Sequence, residues 1–262
     1  MLPVLFIGHG SPMNALEDNE FTNGWREIVR KIPIPKCIVV ISAHWLTKGT
    51  KILSTQNPKT IYDFYGFPKA LYEIKYESKL DLDIARRIKE LLPSASFDNT
   101  WGYDHGAWSI LKVMYPNADI PVIQISLDYY ASNEELYEIG NRLKVLRDEG
   151  VLIIGSGNIV HNLRLASFSS NYNWADSFDN YIYQNILIGN HRAIINYQSI
   201  GDASKLAVPT TEHFNPILVV LGASSKNDDV SVINKKIFAG SVSMTSYIFK
   251  EKGYLWKKFY HF

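Results

Sequence analysis

The sequence predicts an α/β fold: one three-layer domain with a mainly parallel central sheet and helices on both of its faces. Short apolar segments rich in β-branched residues alternate with amphipathic segments along the chain. The strongest apolar segments are nearly continuous, as expected for strands covered on both faces. The 262 residues contain no internal repeat or linker-like run, so we expect residues 1–262 to form a single domain with a large core.

The elements follow from the same pattern. The predicted strands are residues 3–7, 37–42, 121–126 and 151–154, with residues 51–54 as a weaker prediction. Amphipathic periodicity predicts helices over residues 21–31, 82–91, 108–115, 133–147, 174–197 and 214–221. Ser132 gives the clearest helix start, because a capping serine there precedes two acidic residues in the first turn. Residues 232–238 and 241–249 are predicted to form two antiparallel strands joined near Gly240.

Composition and charge exclude several classes of function. The formal net charge is only +1, which gives no reason to expect binding to nucleic acid or to a membrane surface. No apolar run approaches the ~18–20 residues of a membrane helix, and the start of the chain lacks the basic region of a signal peptide. The single cysteine, Cys37, lies in an apolar segment and is expected to be a buried thiol. We therefore expect a cytoplasmic protein without nucleic-acid or membrane partners.

Four of the seven histidines lie where predicted strands give way to loops or turns: His9, His44, His161 and His213. Strand ends are where an α/β sheet gathers residues from distant parts of the chain into one crevice. Neutral imidazole is the commonest metal ligand in proteins. These positions therefore predict a mononuclear metal centre at the carboxyl ends of the strands. His191 and His261, in a helical pattern and near the end of the chain, are interpreted as structural residues.

The sequence excludes several familiar sites. It has no His-Glu-x-x-His and no Cys-x-x-Cys pattern, so zinc-protease and zinc-finger interpretations fail. Gly155 and Gly157 match the first two glycines of the dinucleotide-binding pattern Gly-x-Gly-x-x-Gly. The pattern is broken because Val160 stands where the third glycine is required. The Gly155–Asn158 segment is instead expected to form a turn before His161, which we place in the first turns of a following helix.

His105 is a fifth histidine of interest, in a loop-like segment just ahead of a predicted helix. It is either a packed loop residue or an acid, base or hydrogen-bond donor in a pocket, and Asp104 is able to orient its ring or to cap the helix. A segment rich in aromatic residues, 62–68, contains Tyr62, Phe64 and Phe67. Such a loop could form the wall of a pocket for a planar ring.

Five short motifs surround these histidines. They are Gly-His-Gly-Ser-Pro at His9, Ser-Ala-His-Trp at His44, Tyr-Asp-His-Gly-Ala-Trp at His105, Gly-Ser-Gly-Asn-Ile-Val-His-Asn-Leu at His161 and Glu-His-Phe-Asn-Pro-Ile at His213. In this order they resemble the DOPA-dioxygenase-type extradiol aromatic ring-opening dioxygenases, the class III extradiol enzymes related to protocatechuate 4,5-dioxygenase. The resemblance runs from Leu5 to about Leu221, which is nearly the whole chain.

The resemblance implies a single α/β domain with one divalent metal at the carboxyl ends of the strands. It implies His9, His44 and His213 as metal ligands, with His161 beside the metal as either a fourth ligand or the catalytic base. His105 matches a second active-site histidine. In the protocatechuate enzymes the third ligand is a glutamate, whereas this chain offers His213 with Glu212 beside it.

The implied reaction is the opening of a catechol ring by O₂, next to one hydroxyl, to give a muconic semialdehyde. It requires Fe(II) with open positions on one face, which three protein ligands leave available. His161 would accept a proton from a DOPA-like small aromatic diol, and His105 would hydrogen-bond the substrate or oxygen. An all-histidine set also suits Zn(II), so we expect zinc in isolated protein and iron for turnover.

Two other functions are kept as alternatives. One is a zinc-dependent hydrolase, in which a metal-bound water attacks the substrate. The other is a non-enzymatic binding module on the same fold. The five motif histidines oppose it, because a pure binding module has no chemical need for them. Stoichiometric metal binding separates the binding module from both enzymes. The sequence leaves the particular catechol and the oligomeric state open.

Overall fold

The computed structural model describes residues 1–253, and within that range its centre is an eight-stranded sheet. The strands of this sheet are β1 (Val4–Gly8), β2 (Cys37–Thr47), β3 (Lys51–Leu53), β4 (Ser96–Asp98), β5 (Val122–Asp128), β6 (Val151–Gly157), β7 (Asp228–Ile233) and β10 (Ser246–Glu251). A separate two-stranded sheet consists of β8 (Ile237–Phe238) and β9 (Val242–Ser243).

Helices fill the connections between the strands. They are α1 (Glu20–Lys31), α2 (Lys69–Tyr72), α3 (Leu82–Leu91), α4 (His105–Met114), α5 (Asn133–Leu143), α6 (Asn173–Leu187), α7 (His191–Ile195), α8 (Asp202–Ala207) and α9 (Asn215–Ala223). The described residues also contain short 3₁₀ helices, one of which, Leu163–Leu165, begins two residues after His161. None of the helices in residues 1–253 has the length and apolarity needed to cross a membrane.

The strand order of the large sheet is β4-β3-β5-β2-β6-β1-β10-β7. The four central strands, β5, β2, β6 and β1, are parallel. β10 is antiparallel to β1, and β3 is antiparallel to β5. The predicted mainly parallel sheet is therefore confirmed. Because the central strands run the same way, their carboxyl ends meet at one edge of the sheet.

Two hydrophobic cores cover the two faces of this sheet, as the alternation of side chains along a strand requires. In β1, Val4 and Phe6 belong to the core that contains side chains of α3, α5, α6 and α9. Leu5 and Ile7 belong to the opposite core, with side chains of α1 and α4. This arrangement confirms the three-layer α/β prediction. Cys37 is a buried free thiol, as expected.

Two predicted elements are divided in the structure. The helix expected over residues 174–197 ends at Leu187 and resumes at His191, because Gly189 adopts a left-handed φ of 69° between them. The predicted C-terminal hairpin is split as well. Its turn at Gly240 joins β8 to β9, whereas β7 pairs with β10, because Asn234 (φ 55°) turns the chain out of the large sheet. His261 lies outside the described residues.

Candidate metal centre

The candidate centre lies at the carboxyl end of the parallel strands. His9 directly follows β1, and its backbone N–H donates to the carbonyl of Gly157 at the end of β6 (3.1 Å). Gly10 then takes a left-handed φ of 61°, which a residue without Cβ adopts readily. The chain therefore turns sharply and leaves His9, which is 1% exposed, at the strand end.

His44 lies inside β2, not after it as predicted. The pairing of β2 with β6 stops at Ser42, and its register against β5 shifts between Ile41 and Leu46. Extra residues in one strand re-aim side chains, and such irregularities are common beside active sites. The predicted strand of residues 37–42 corresponds to the regular part of β2. His44 therefore still lies where regular pairing ends.

His161 and His213 come from two segments beyond β6. His161 forms a bridge with Val242, and its N–H donates to the carbonyl of Ala207 (2.8 Å). It does not lie in a helix, which corrects our expectation, since only the short 3₁₀ turn Leu163–Leu165 follows it. The carbonyl of His213 accepts a hydrogen bond from the N–H of Asn158 (2.8 Å). Asn158 thus holds the backbone of His213 beside the end of β6.

His9, His44 and His213 form what we call the histidine triangle, with ring centres 5.1, 5.3 and 4.9 Å apart. An imidazole bound through Nε2 at about 2.1 Å has its centre about 3.2 Å from the ion, so two ligands about 90–110° apart have centres roughly 4.5–5.3 Å apart. All three pairs match that spacing. The Nε2 atoms of His9 and His44 are 3.2 Å apart, close to the roughly 3.0–3.4 Å expected for two ligand nitrogens on one ion.

Each ring of the histidine triangle has its Nδ1 beside a partner. The Nδ1 of His9 is 3.0 Å from Ser156 Oγ, and that of His213 is 3.2 Å from Glu212 Oε1. The Nδ1 of His44 is 3.3 Å from an oxygen of Asp63. Metal-ligating histidines are usually oriented in this way through the nitrogen that does not bind the metal. The spacing of the three rings and the partners at their Nδ1 atoms therefore fit ligands of one divalent ion.

Electrostatics favour neutral rings in this cluster. Burial, followed by the charges of neighbouring histidines, holds the pKa values of His9 and His213 well below their usual range. Burial and the nearby His105 lower the pKa of His44 to about 3, although Asp63 opposes this shift. Burial lowers the pKa of His161 to about 4. These imidazoles are therefore neutral near pH 7, which is the protonation state that binds metal.

His105 and His161 each lie close to one ring of the triangle. The ring centre of His105 is 3.8 Å from that of His44. His161 stacks on His213, with centres 3.4 Å apart and planes inclined by 9°. Both separations are shorter than the roughly 4.5–5.3 Å expected for two ligands on one ion, so one ring of each pair at most fits as a ligand of that ion.

His105 is the first residue of α4, three residues before the predicted start of that helix. Asp104 caps the helix by accepting from the Ala107 N–H, which is one of its two expected roles. It does not orient the His105 ring. That contact comes from Asp63, which accepts from the backbone N–H of His105 and lies 2.9 Å from its Nδ1.

A cavity of about 500 Å³ opens over these histidines. Its walls are largely apolar and aromatic, and the aromatic segment contributes Phe64, Tyr65 and Phe67 to them, as expected. The remaining lining residues are Gly10, Ser11, Pro12, Asp63, Leu163, Phe238 and Val242, together with the five histidines. A planar ring could enter here and reach the triangle.

Sequence reasoning missed Asp63 and Ser156, which hold Nδ1 atoms of His105 and His9. Asp63 carried a usable signal, since it is a carboxylate inside an otherwise aromatic run, Tyr62 to Phe64. Ser156 carried none, because a serine at a strand end is ordinary. The donor atoms of His9, His44 and His105 lie within 4.8 Å of one another, and so do those of His161, Glu212 and His213.

Comparisons with known proteins agree with this architecture. A family model described as the catalytic LigB subunit of aromatic ring-opening dioxygenase matches residues 3–250. A 4,5-DOPA dioxygenase extradiol of Escherichia coli (strain K12) is 42% identical over 255 residues, which cover 94% of this chain and 93% of that protein. A protein of the same name from Beta vulgaris is 38% identical, over 93% of this chain and 95% of its own.

A solved structure is similar as well. The crystal structure of an uncharacterized protein from Escherichia coli K12 matches with a TM-score of 0.83 at 38% identity, over 95% of this chain and 99% of that one. The predicted family and the prediction of an extradiol ring-cleavage dioxygenase are thereby confirmed. The chain belongs to the LigB family of aromatic ring-opening dioxygenases.

Proposed function

We propose that His9, His44 and His213 bind one divalent metal and that the protein uses it, as Fe(II), to open the ring of a DOPA-like catechol with O₂. The product is a muconic semialdehyde, in which both oxygen atoms of O₂ are retained and the ring bond beside one hydroxyl is broken. The observation that carries this proposal is the histidine triangle, with near-equal spacing and a partner at each Nδ1. The names of the relatives from Escherichia coli and Beta vulgaris support a DOPA-like substrate.

The donor set fits this chemistry. Bound Fe(II) would supply redox chemistry and a positive charge that favours the catecholate form of the substrate. Three protein ligands would leave further positions on the metal for the diol and O₂, and the rings of all three line the cavity. The stacked position of His161 on His213 argues for His161 as the base, rather than as a fourth ligand.

His161 and His105 have distinct proposed roles. His161 is neutral near pH 7, because burial lowers its pKa to about 4, so its ring can accept a proton from the substrate hydroxyl. His105 has its Nδ1 beside Asp63, which leaves its Nε2 for the substrate or oxygen. Both rings line the cavity whose walls include Phe64 and Phe238, and those phenyl groups suit a flat aromatic substrate.

The test is turnover with a defined metal. Metal-free protein is loaded anaerobically with Fe(II) or with Zn(II), and oxygen uptake and absorbance are followed with L-DOPA, 4-methylcatechol and protocatechuate. We expect one O₂ consumed per catechol and a yellow semialdehyde with iron only, since zinc has no redox chemistry. Ring cleavage by rigorously iron-free zinc protein, or no cleavage of any catechol by iron-loaded protein, would contradict the proposal.

The remaining expectations belong to the same proposal. We propose that residues 1–262 form one catalytic domain acting on a small aromatic diol and O₂. A cytoplasmic location, and the absence of nucleic-acid and membrane partners, stay predictions from the sequence.

A further inference from the structure

One carboxylate contacts two of the site histidines. Asp63 lies in the loop between β3 and α2, and its side chain is 21% exposed. Its Oδ1 accepts from the backbone N–H of His105 (2.9 Å). Its Oδ2 lies 2.9 Å from the Nδ1 of His105 and 3.3 Å from the Nδ1 of His44. The same group therefore meets a proposed metal ligand and the second active-site histidine.

The chemistry of this contact is directional. An ionised carboxylate only accepts hydrogen bonds, so a ring nitrogen that bonds to it must carry the proton. A neutral imidazole has one N–H, and its other nitrogen is then an acceptor. Contact with Asp63 thus places the proton of His105 on Nδ1 and favours the same tautomer of His44. In both rings the lone pair is left on Nε2.

We propose that Asp63 is a positioning residue that fixes the Nδ1–H tautomer and the ring orientation of His105, and secondarily those of His44. Its meaning for catalysis rests on the proposed function. With Nε2 as the acceptor, His105 can receive a hydrogen bond from a substrate hydroxyl. His44 is left with its Nε2 lone pair toward the Nε2 of His9, where the metal is proposed to bind.

The loop that carries Asp63 is itself fixed to the body of the protein. The N–H of Ile61 donates to the carbonyl of Tyr103 (2.7 Å), and Trp108 Nε1 donates to the carbonyl of Ile61 (2.9 Å). The next residue, Phe64, packs edge-on against His105, with ring centres 5.5 Å apart, and lines the cavity. Asp63 therefore links the wall of the cavity to the two histidines.

Asp63→Asn is the sharpest test, because asparagine has nearly the same shape but only one acceptor oxygen. If that oxygen stays on the backbone N–H of His105, the amide NH₂ faces the two Nδ1 atoms and requires an acceptor there. We expect the proton of His105 to move to Nε2. Long-range ¹H–¹⁵N spectra of the metal-free and Zn(II)-loaded proteins report the tautomer without turnover, and His105→Gln assigns the signal.

Two variants serve as controls. Asp63→Glu keeps an acceptor-only group, so we expect it to retain the Nδ1–H tautomer at least in part. Glu212→Gln changes a carboxylate that lies 3.2 Å from the Nδ1 of His213 and has no hydrogen bond to His105, so it should weaken metal binding by about 10–100-fold while leaving the tautomer of His105 unchanged. In the Fe(II) enzyme, Asp63→Asn should lower kcat by about 10–100-fold, with a smaller change in KM.

The outcomes are separable. A wild-type His105 with its proton on Nε2 would overturn the proposal even if Asp63→Asn fails to fold. A folded Asp63→Asn with unchanged tautomer would overturn it as well. If the wild-type Fe(II) protein cleaves no catechol, the proposed function fails, whereas the spectra still decide the role of Asp63.

Discussion

At the scale of residues, His44 and His161 make different contacts, and we predict different losses from them. His44 is a corner of the histidine triangle, with its Nε2 3.2 Å from that of His9. His161 stacks beside the triangle. Loss of a residue that only orients a metal ligand typically costs about 10–100-fold in metal affinity. His44 is proposed to bind the metal itself, so we expect His44→Ala to lower the affinity by more than about 100-fold and to abolish turnover. Metal content after equilibrium dialysis, together with oxygen uptake, measures both effects.

His161→Gln should keep most of its metal and lose kcat by roughly 10²–10⁴-fold, the usual contribution of a general base. The same dialysis and oxygen-uptake assays apply, with wild type and His44→Ala run in parallel. His191→Gln is the matched control, because its ring contacts Tyr137 and does not line the cavity over the triangle. Equal loss of metal in His44→Ala and His161→Gln would make His161 a ligand instead.

The buried histidines also predict how stability depends on pH. Burial lowers the pKa values of His44 to about 3 and His161 to about 4, against 6.5 for an unperturbed histidine. Below pH 6.5 the unfolded chain therefore binds more protons than the folded one, and stability falls as pH falls toward those values. We expect the urea midpoint of metal-free protein to drop between about pH 7 and pH 5, and to drop less in His44→Gln. An identical drop in both proteins would contradict this account.

At the scale of elements, the positions of His9 and His105 could be read from the sequence better than that of His44. Gly8 and Gly10 mark the sharp turn after a buried strand, and Asp104 marks the start of α4. His44 lies in a register shift of β2 that depends on the neighbouring β5. Strand irregularities of this kind arise from pairing between distant segments, so local pattern could not reveal it.

The contact of β6 with His213 gives a prediction at this scale. A Cβ on Gly157 would lie 2.2 Å from the carbonyl oxygen of His213, so Gly157→Ala must push that backbone away. We expect a loss of about 1–3 kcal/mol in stability, as for overpacked interiors, and weaker metal binding. Urea unfolding and metal titration measure both.

Gly49→Ala is the matched control, because no atom lies within 4 Å of a Cβ there and only its positive φ of 73° is strained. It should lose about 1–2 kcal/mol from the left-handed backbone with unchanged metal affinity. Gly157→Ala with full stability and normal metal binding would show that β6 does not position His213.

At the scale of the whole molecule, the parallel sheet was predictable from the sequence, whereas some strands and side-chain contacts were not. Continuous apolar strands indicated a parallel sheet covered on both faces, and parallel strands bring His9 and His44 to one edge. The strand predicted at residues 51–54 is present as β3, whereas the short β4 and the split of the C-terminal strands depend on tertiary pairing. Asp63 reaches His105 across 42 positions of sequence, a contact that neither periodicity nor motif spacing encodes.

The most direct measurement is an anomalous-difference map at the iron edge from anaerobic crystals of the Fe(II)-loaded protein. We predict one iron peak at about 2.0–2.3 Å from the Nε2 atoms of His9, His44 and His213, with His105 and His161 outside bonding distance. Iron bound instead by His9, His44 and His105, or by His161, Glu212 and His213, would contradict the histidine triangle as the metal site.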